Sequence, residues 1–161
     1  MTKNFKYQEY PAPDYLSAYI KSFWTFEQTT KKHSELKFSP IPDGFPGMIF
    51  QLSDKPIFHD TELNNMPTIF VFRPTMIRKQ MILSGEIATL GIYFYPSAIK
   101  TIFGFDVNTI TEDCLGYDLI SQKDYQNILI AITSLPNHRQ RIDYLSKYFY
   151  KKIETNQSNS Q

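Results

Sequence analysis

Residues able to hold a metal or carry a nucleophile are few in this chain and lie far apart. The three histidines, His33, His59 and His138, form neither a His-x-His nor a His-x-x-x-His pair. Those spacings would aim two imidazoles at one cation from a single strand or helix face. All three read as ordinary surface histidines, and neither a metal nor any other cofactor is expected. Cys114, the single cysteine, stands beside Leu115 and reads as a small buried apolar group rather than a nucleophile. No Gly-x-Ser-x-Gly elbow occurs, and six glycines supply no glycine-rich phosphate loop. Asp43 and the pair Glu112-Asp113 are carboxylates with nothing to mark them as an acid or a base. These residues point away from catalysis.

Binding chemistry is better represented. The chain holds 13 Phe, 11 Tyr and 1 Trp. Where strands line an interior, alternate side chains face it, and aromatic walls suit an apolar or planar ligand. Trp24, Phe50, Phe72, Tyr93 and Tyr95 fall at strand spacing and are the candidate ligand residues. Tyr93 and Tyr95 each add a hydroxyl. Arg73, beside a strand end, adds a guanidinium that would meet an anionic group.

The elements that must position these residues change character near residue 96. Before it, short apolar runs alternate with turn signals. The spacing predicts strands over Tyr19–Gln28, Met48–Leu52, Thr68–Phe72, Arg78–Leu83 and Ala88–Tyr95, with a helical turn over Pro13–Ala18. Alternation puts Ile20, Trp24 and Phe26 on one face of the first strand and Tyr19, Phe23 and Thr25 on the other. In the last strand Leu90, Ile92 and Phe94 oppose Thr89, Tyr93 and Tyr95 around Gly91. The segment 40–47, with Pro-Asp-Gly at its centre, is dense in turn residues. Several strands joined by tight turns favour an antiparallel sandwich or barrel over a parallel sheet.

After residue 96 the period becomes helical. A short helix from Pro96 to Phe103 ends at Gly104. A second starts at Ser121 or Asp124, carries Tyr125, Ile128, Leu129 and Ile132, and stops at Pro136. A third runs from about Asn137 to Ile153 with Ile142, Leu145, Phe149 and Ile153 on one stripe, widened by Tyr144 and Tyr148. The polar stretch 154–161 reads as an unfolded tail or a cut linker.

With 161 residues, one domain over 1–153 is expected. No apolar run approaches the roughly 20 residues of a membrane helix, and the first residues show no secretory signal. With the lone cysteine, this points to a cytoplasmic protein and no membrane partner. Charge is almost balanced, at 17 basic and 16 acidic residues. Residues 138–161 carry a local excess of three positive charges, a weaker basic field than nucleic-acid recognition usually shows. The last two helices also lack a polar, basic second helix of the kind that enters the major groove.

Three stretches together resemble a known group. Leu16-Ser-Ala-Tyr-Ile-Lys-Ser-Phe-Trp24 is similar to an opening strand closed by Trp. Ile41-Pro-Asp-Gly44 followed by Met48-Ile-Phe-Gln-Leu52 resembles a Pro-Asp-Gly signature before a strand. Leu90-Gly-Ile-Tyr-Phe-Tyr-Pro96 with Ile102-Phe-Gly104 resembles a Gly-x-x-Phe-x-Pro strand and helix. In this order they look like the N-terminal domain of AraC-type transcriptional regulators, over about Pro11 to Ile153. Gly47 stands where relatives commonly carry an acid, and Arg73 near where many carry glycine.

The resemblance implies an α+β fold, a cupin-like antiparallel β-barrel over about 19–95 followed by C-terminal helices over about 96–153. It also implies a non-catalytic domain that senses a small-molecule effector, forms a homodimer, or does both. DNA would be bound only through a C-terminal domain that this sequence does not contain. On the third helix, Tyr144, Leu145, Tyr148 and Phe149 are the expected dimer contacts. Two other readings stay open: a stand-alone small-molecule-binding barrel, and a cupin-like enzyme.

Overall fold

A computed structural model describes residues 5–28, 36–38, 45–52, 58–59, 68–72, 81–83, 87–104, 106, 114–115 and 121–159. The described residues form nine strands, eight before the first helix and the last after it: β1 (Phe5–Pro11), β2 (Ile20–Gln28), β3 (Leu36–Phe38), β4 (Gly47–Gln51), β5 (Phe58–His59), β6 (Ile69–Phe72), β7 (Met81–Leu83), β8 (Ile87–Phe94) and β9 (Cys114–Leu115). A 3₁₀ turn at Asp14–Leu16 joins β1 to β2. The helices are α1 (Ala98–Phe103), α2 (Gln122–Ser134) and α3 (His138–Asn159). The fold is α+β, an antiparallel sheet followed by C-terminal helices.

The strands form two sheets. One has six strands in the order β1-β2-β8-β4-β6-β9, and the other has three in the order β3-β7-β5. Every pairing is antiparallel. The expected closed barrel is not formed. A barrel needs a hydrogen-bonded circuit with no edge, and among the described residues the larger sheet ends at β1 on one side and β9 on the other, with no ladder to the smaller sheet.

The helices cover one face of the larger sheet. Phe23, Met48, Phe50, Ile69, Val71, Leu90, Ile92 and Phe94 pack there with Ile99 and Ile102 of α1, Tyr125, Ile128 and Ile132 of α2, and Leu145, Phe149 and Ile153 of α3. Phe94 lies edge to face with Phe103 and Phe149, at 5.9 and 5.5 Å between ring centres. Rings so placed bring a positive edge to a negative face, which adds to their area burial.

One face assignment is corrected. Ile20 joins the helix-side core with Phe23 rather than facing with Trp24. A register shift between Ile20 and Ser22 inserts Lys21 as an extra residue, and this reverses the alternation on one side of it.

The helix ends follow from their capping residues. The Ser121 hydroxyl accepts from the Asp124 amide at 3.1 Å and starts α2. Leu135, before Pro136, is extended and ends it. The Asn137 side chain accepts from the Gln140 amide and starts α3. Gly104 closes α1 at a φ of 86°, where glycine meets no steric cost. The expected unfolded tail is also corrected, since α3 continues to Asn159. Its polar residues are used within the fold. The Asn156 amide donates to the carbonyls of Thr101 and Ile102, and Gln157 donates to the Tyr19 hydroxyl.

Candidate functional site

Side chains directly opposite one another in a sheet share a face. The register therefore assigns the second face of the larger sheet, away from the helices. It carries Tyr7 and Glu9 of β1, Ser22, Trp24, Phe26 and Gln28 of β2, Ile49 and Gln51 of β4, Phe70 of β6, and Thr89, Gly91 and Tyr93 of β8. None of them belongs to the helix-side cluster. Apart from Tyr7 and Glu9 they are buried all the same.

This second face differs chemically from the first. Beside Phe26, Ile49 and Phe70 it buries Ser22, Gln28, Gln51 and Thr89, with Gln51 2% exposed and Thr89 0%. The Thr89 hydroxyl is buried and has no hydrogen-bond partner among the described residues. A hydroxyl left so costs about 1–3 kcal/mol, and such groups recur where a ligand or water completes the bonding. Glu9, exposed at the β1 edge, is the charged residue among the described strand positions of this face.

Trp24 is the centre of the face. Its indole stacks on Tyr93 at 5.7 Å and on Tyr7 at 6.1 Å between ring centres, inclined by 27° and 26°. The Tyr7 hydroxyl donates to Glu9 at 2.9 Å. Gly91 lies directly opposite Trp24 across β2 and β8. A Cβ at Gly91 would fall inside the indole, so glycine is what lets the ring lie flat on the sheet. The result is an aromatic platform bordered by amides and a hydroxyl. Trp24, Thr89 and Tyr93 are 1%, 0% and 3% exposed, so a planar molecule reaches this stack and its hydrogen-bonding edge only when what covers the face moves aside.

The six expected ligand residues divide. Trp24 and Tyr93 are brought together on this face. Phe50 points to the opposite face, into the helix-side core. A void of about 10 Å³ beside it, between β4, β6 and α2, has room for a water at most. Tyr95 lies just beyond β8, half-buried, edge to face with Phe45 at 5.7 Å. Phe72 is placed only by its backbone, paired with Gly47. Arg73 lies outside the described residues, as do Asp43, Glu112, Asp113 and His33. Ser22, Gln28, Gln51, Thr89 and Gly91 were not expected. Their signal in the sequence is polar or missing side chains at alternate positions of otherwise apolar strands.

The expected dimer contacts also divide. Leu145 and Phe149 are fully buried in the chain's own core, so their side chains offer nothing to a second copy. Tyr144 and Tyr148 are half-buried against that core. The Tyr148 hydroxyl donates to Asp124 at 2.9 Å. Burial first, then the bond to Asp124 and that carboxylate's charge, push the Tyr148 hydroxyl well above the usual tyrosine range. Burial and Asp124 raise Tyr144 as well.

Other features carry less chemistry. Cys114 pairs with Phe72 in β9. His138 is not a surface histidine, because its ring is four-fifths buried against Glu27. Among the described residues no three His, Cys, Asp or Glu side chains gather as a metal site. No described helix is long and apolar enough to cross a membrane. An open groove of about 770 Å³ runs between Pro11, Pro13 and Tyr15 and the start of α3, at Asn137, Arg139, Ile142 and Asp143. It is larger than a ligand of modest size requires, but its walls hold no buried polar side chain lacking a partner. The second face of the sheet is the better candidate site.

No characterised protein and no solved structure matches the chain. A family described as a domain of unknown function, DUF6597, matches residues 8–116, more than half of the chain. The matched segment runs from within β1 through β9 and so contains every second-face position except Tyr7, while α2 and α3 follow it. The chain belongs to the DUF6597 family.

Proposed function

We propose that this chain is a non-catalytic, cytoplasmic effector-sensing domain of an AraC-type transcriptional regulator, with its effector site on the second face of the larger sheet. The effector class is an uncharged planar molecule with a hydrogen-bonding edge. The observation that carries this reading is the buried hydroxyl of Thr89, without a hydrogen-bond partner among the described residues, beside the Trp24–Tyr93 stack. A packed core with no other task would place an apolar side chain there. Support for the regulatory setting comes from the sequence resemblance. In that setting the chain works as a homodimer, and DNA is contacted by another domain. Tyr15 and Tyr150, edge to face at 5.1 Å and both more than 40% exposed, form an aromatic patch for the second copy to cover.

Trp24 is the sole tryptophan, so its emission reports on the site directly. The probes are benzamide and uracil, uncharged planar molecules that do not emit in the tryptophan band, with benzoate as the charged control. A saturable emission change is expected with a neutral probe and not with benzoate, weakened in Thr89→Val. Emission that stays flat with both neutral probes, or responds equally in Thr89→Val, contradicts the reading.

A further inference from the structure

His138 is the first residue of α3, and its ring is held from two sides. Nε2 makes a close contact with the Glu27 carboxylate of β2. Nδ1 lies 3.1 Å from Nη1 of Arg141, one helical turn on. Arg141 in turn donates through Nε to the carbonyl of Ile132, in the last turn of α2, at 3.1 Å. The chain of contacts thus joins the sheet to both long helices.

A guanidinium has donors and no acceptor. Nδ1 must therefore accept from Arg141, and the proton of the neutral ring must sit on Nε2, where it is given to Glu27. The geometry selects one tautomer. A second proton has only Nδ1 to go to, and there it would face the Arg141 donor. Two positive groups and two donors would then meet at about 3 Å. Among the described residues, the charged groups in contact with the ring are Glu27 from β2 and Arg141 from α3; Arg139 follows His138 in α3, and Lys6 of β1 is paired opposite Glu27. β8 brings Ala88 to the other side of Glu27, and α2 brings the Ile132 carbonyl.

We propose that Glu27, His138 and Arg141 form a proton-operated latch between the sheet and the helix pair. With the ring neutral the latch is closed. When the ring takes its second proton, Glu27 keeps its hold, and Arg141 is released. The Ile132 carbonyl then loses its side-chain cap. This carbonyl is one of the last four of α2, which have no partner inside the helix. The change is felt at the end of α2 and in the connection 135–137. Histidine is the side chain suited to such a step, since either ring nitrogen can carry a proton and both donate once the ring is charged. The latch uses no residue of the sheet's second face, so it and the effector reading fail separately.

The test is nuclear magnetic resonance on the full chain with ring-labelled histidine. At about pH 8 the His138 ring should show the proton on Nε2. The Leu135 amide, bonded to the Ala131 carbonyl at 3.0 Å in the final turn of α2, should be protected from exchange. Between about pH 8 and about pH 5.5 that protection, corrected for intrinsic exchange, should fall on the order of tenfold or more, the effect of losing a charge-assisted bond. His138→Gln copies the neutral ring, with its amide donating to Glu27 and its oxygen accepting from Arg141. Its Leu135 protection should not change with pH. Equal falls in wild type and His138→Gln overturn the proposal. So does a neutral ring protonated on Nδ1, or a ring that titrates in wild type while Leu135 protection stays constant. The two wild-type results decide the matter even where the variant does not fold.

Discussion

Replacing Gly91 with alanine adds one methyl group and, by strand preference alone, should stabilise the chain by about 0.5–1 kcal/mol. The structure predicts the opposite sign. A Cβ at Gly91 would overlap Cε2, Cζ2 and Nε1 of Trp24. The indole is 1% exposed and stacked on Tyr7 and Tyr93, so it has no free direction in which to yield. Overpacking alone costs about 1–3 kcal/mol, and losing a buried tryptophan's packing costs about 3–5. Because the clash displaces the whole ring rather than its tip, the expected loss is about 3 kcal/mol, a large share of a total near 5–15. Urea unfolding followed by far-ultraviolet circular dichroism measures it, and emission from the displaced tryptophan should shift to the red. In a Trp24→Leu background the same change should cost nothing measurable, giving a coupling of about 3 kcal/mol between the two positions. A Gly91→Ala variant within about 0.5 kcal/mol of wild type with unshifted emission would refute the reasoning. An equal loss in both backgrounds would refute it too.

Thr89→Val removes the buried hydroxyl without changing shape, so it should stabilise the ligand-free chain by about 1 kcal/mol, or roughly 2–4 °C in Tm. A lowered Tm would count against that hydroxyl being partnerless. Tyr125→Phe should cost about 1–3 kcal/mol, because the Ile69 amide donates to that hydroxyl at 3.2 Å in a buried place; denaturant unfolding checks it. The Tyr148 hydroxyl is held above its ordinary range by burial and Asp124, so the folded state favours the protonated phenol. That contribution is complete below the unfolded value near pH 10 and is lost progressively as pH rises above it. Stability measured from about pH 9 to about pH 12 should fall more gently in Tyr148→Phe than in wild type.

The parts of the fold visible in the sequence were those with one strong period. β8 and α2 read correctly because Leu90, Ile92 and Phe94, and then Tyr125, Ile128 and Ile132, each mark a single buried face. β1 went unread because Phe5-Lys-Tyr-Gln-Glu-Tyr-Pro11 has no β-branched residue, and its place at a sheet edge leaves much of it in water. The bulge at Lys21 is one residue long and leaves no mark in composition, yet it decides where Ile20 points. All five residues of β4 are buried, so alternation could not tell Phe50, on the helix side, from Ile49, on the other. The same ambiguity gave Leu145 and Phe149 to a dimer contact. A stripe of apolar residues shows that a helix face is covered, not whether the cover is another element or another copy. Trp24 and Tyr93 were legible as aromatics, whereas the meaning of Thr89 and Gly91 depends on what the register sets opposite them.

On the proposed reading, the second face of the larger sheet, around Trp24, Thr89 and Tyr93, takes an uncharged planar ligand. The most direct measurement is a backbone and indole resonance titration of the full chain with benzamide and uracil. Saturable shifts centred on Trp24, Gly91 and Thr89, reduced in Thr89→Val, are expected. Shifts confined to the groove at residues 11–15 and 137–146, or none at any probe concentration, would contradict that reading.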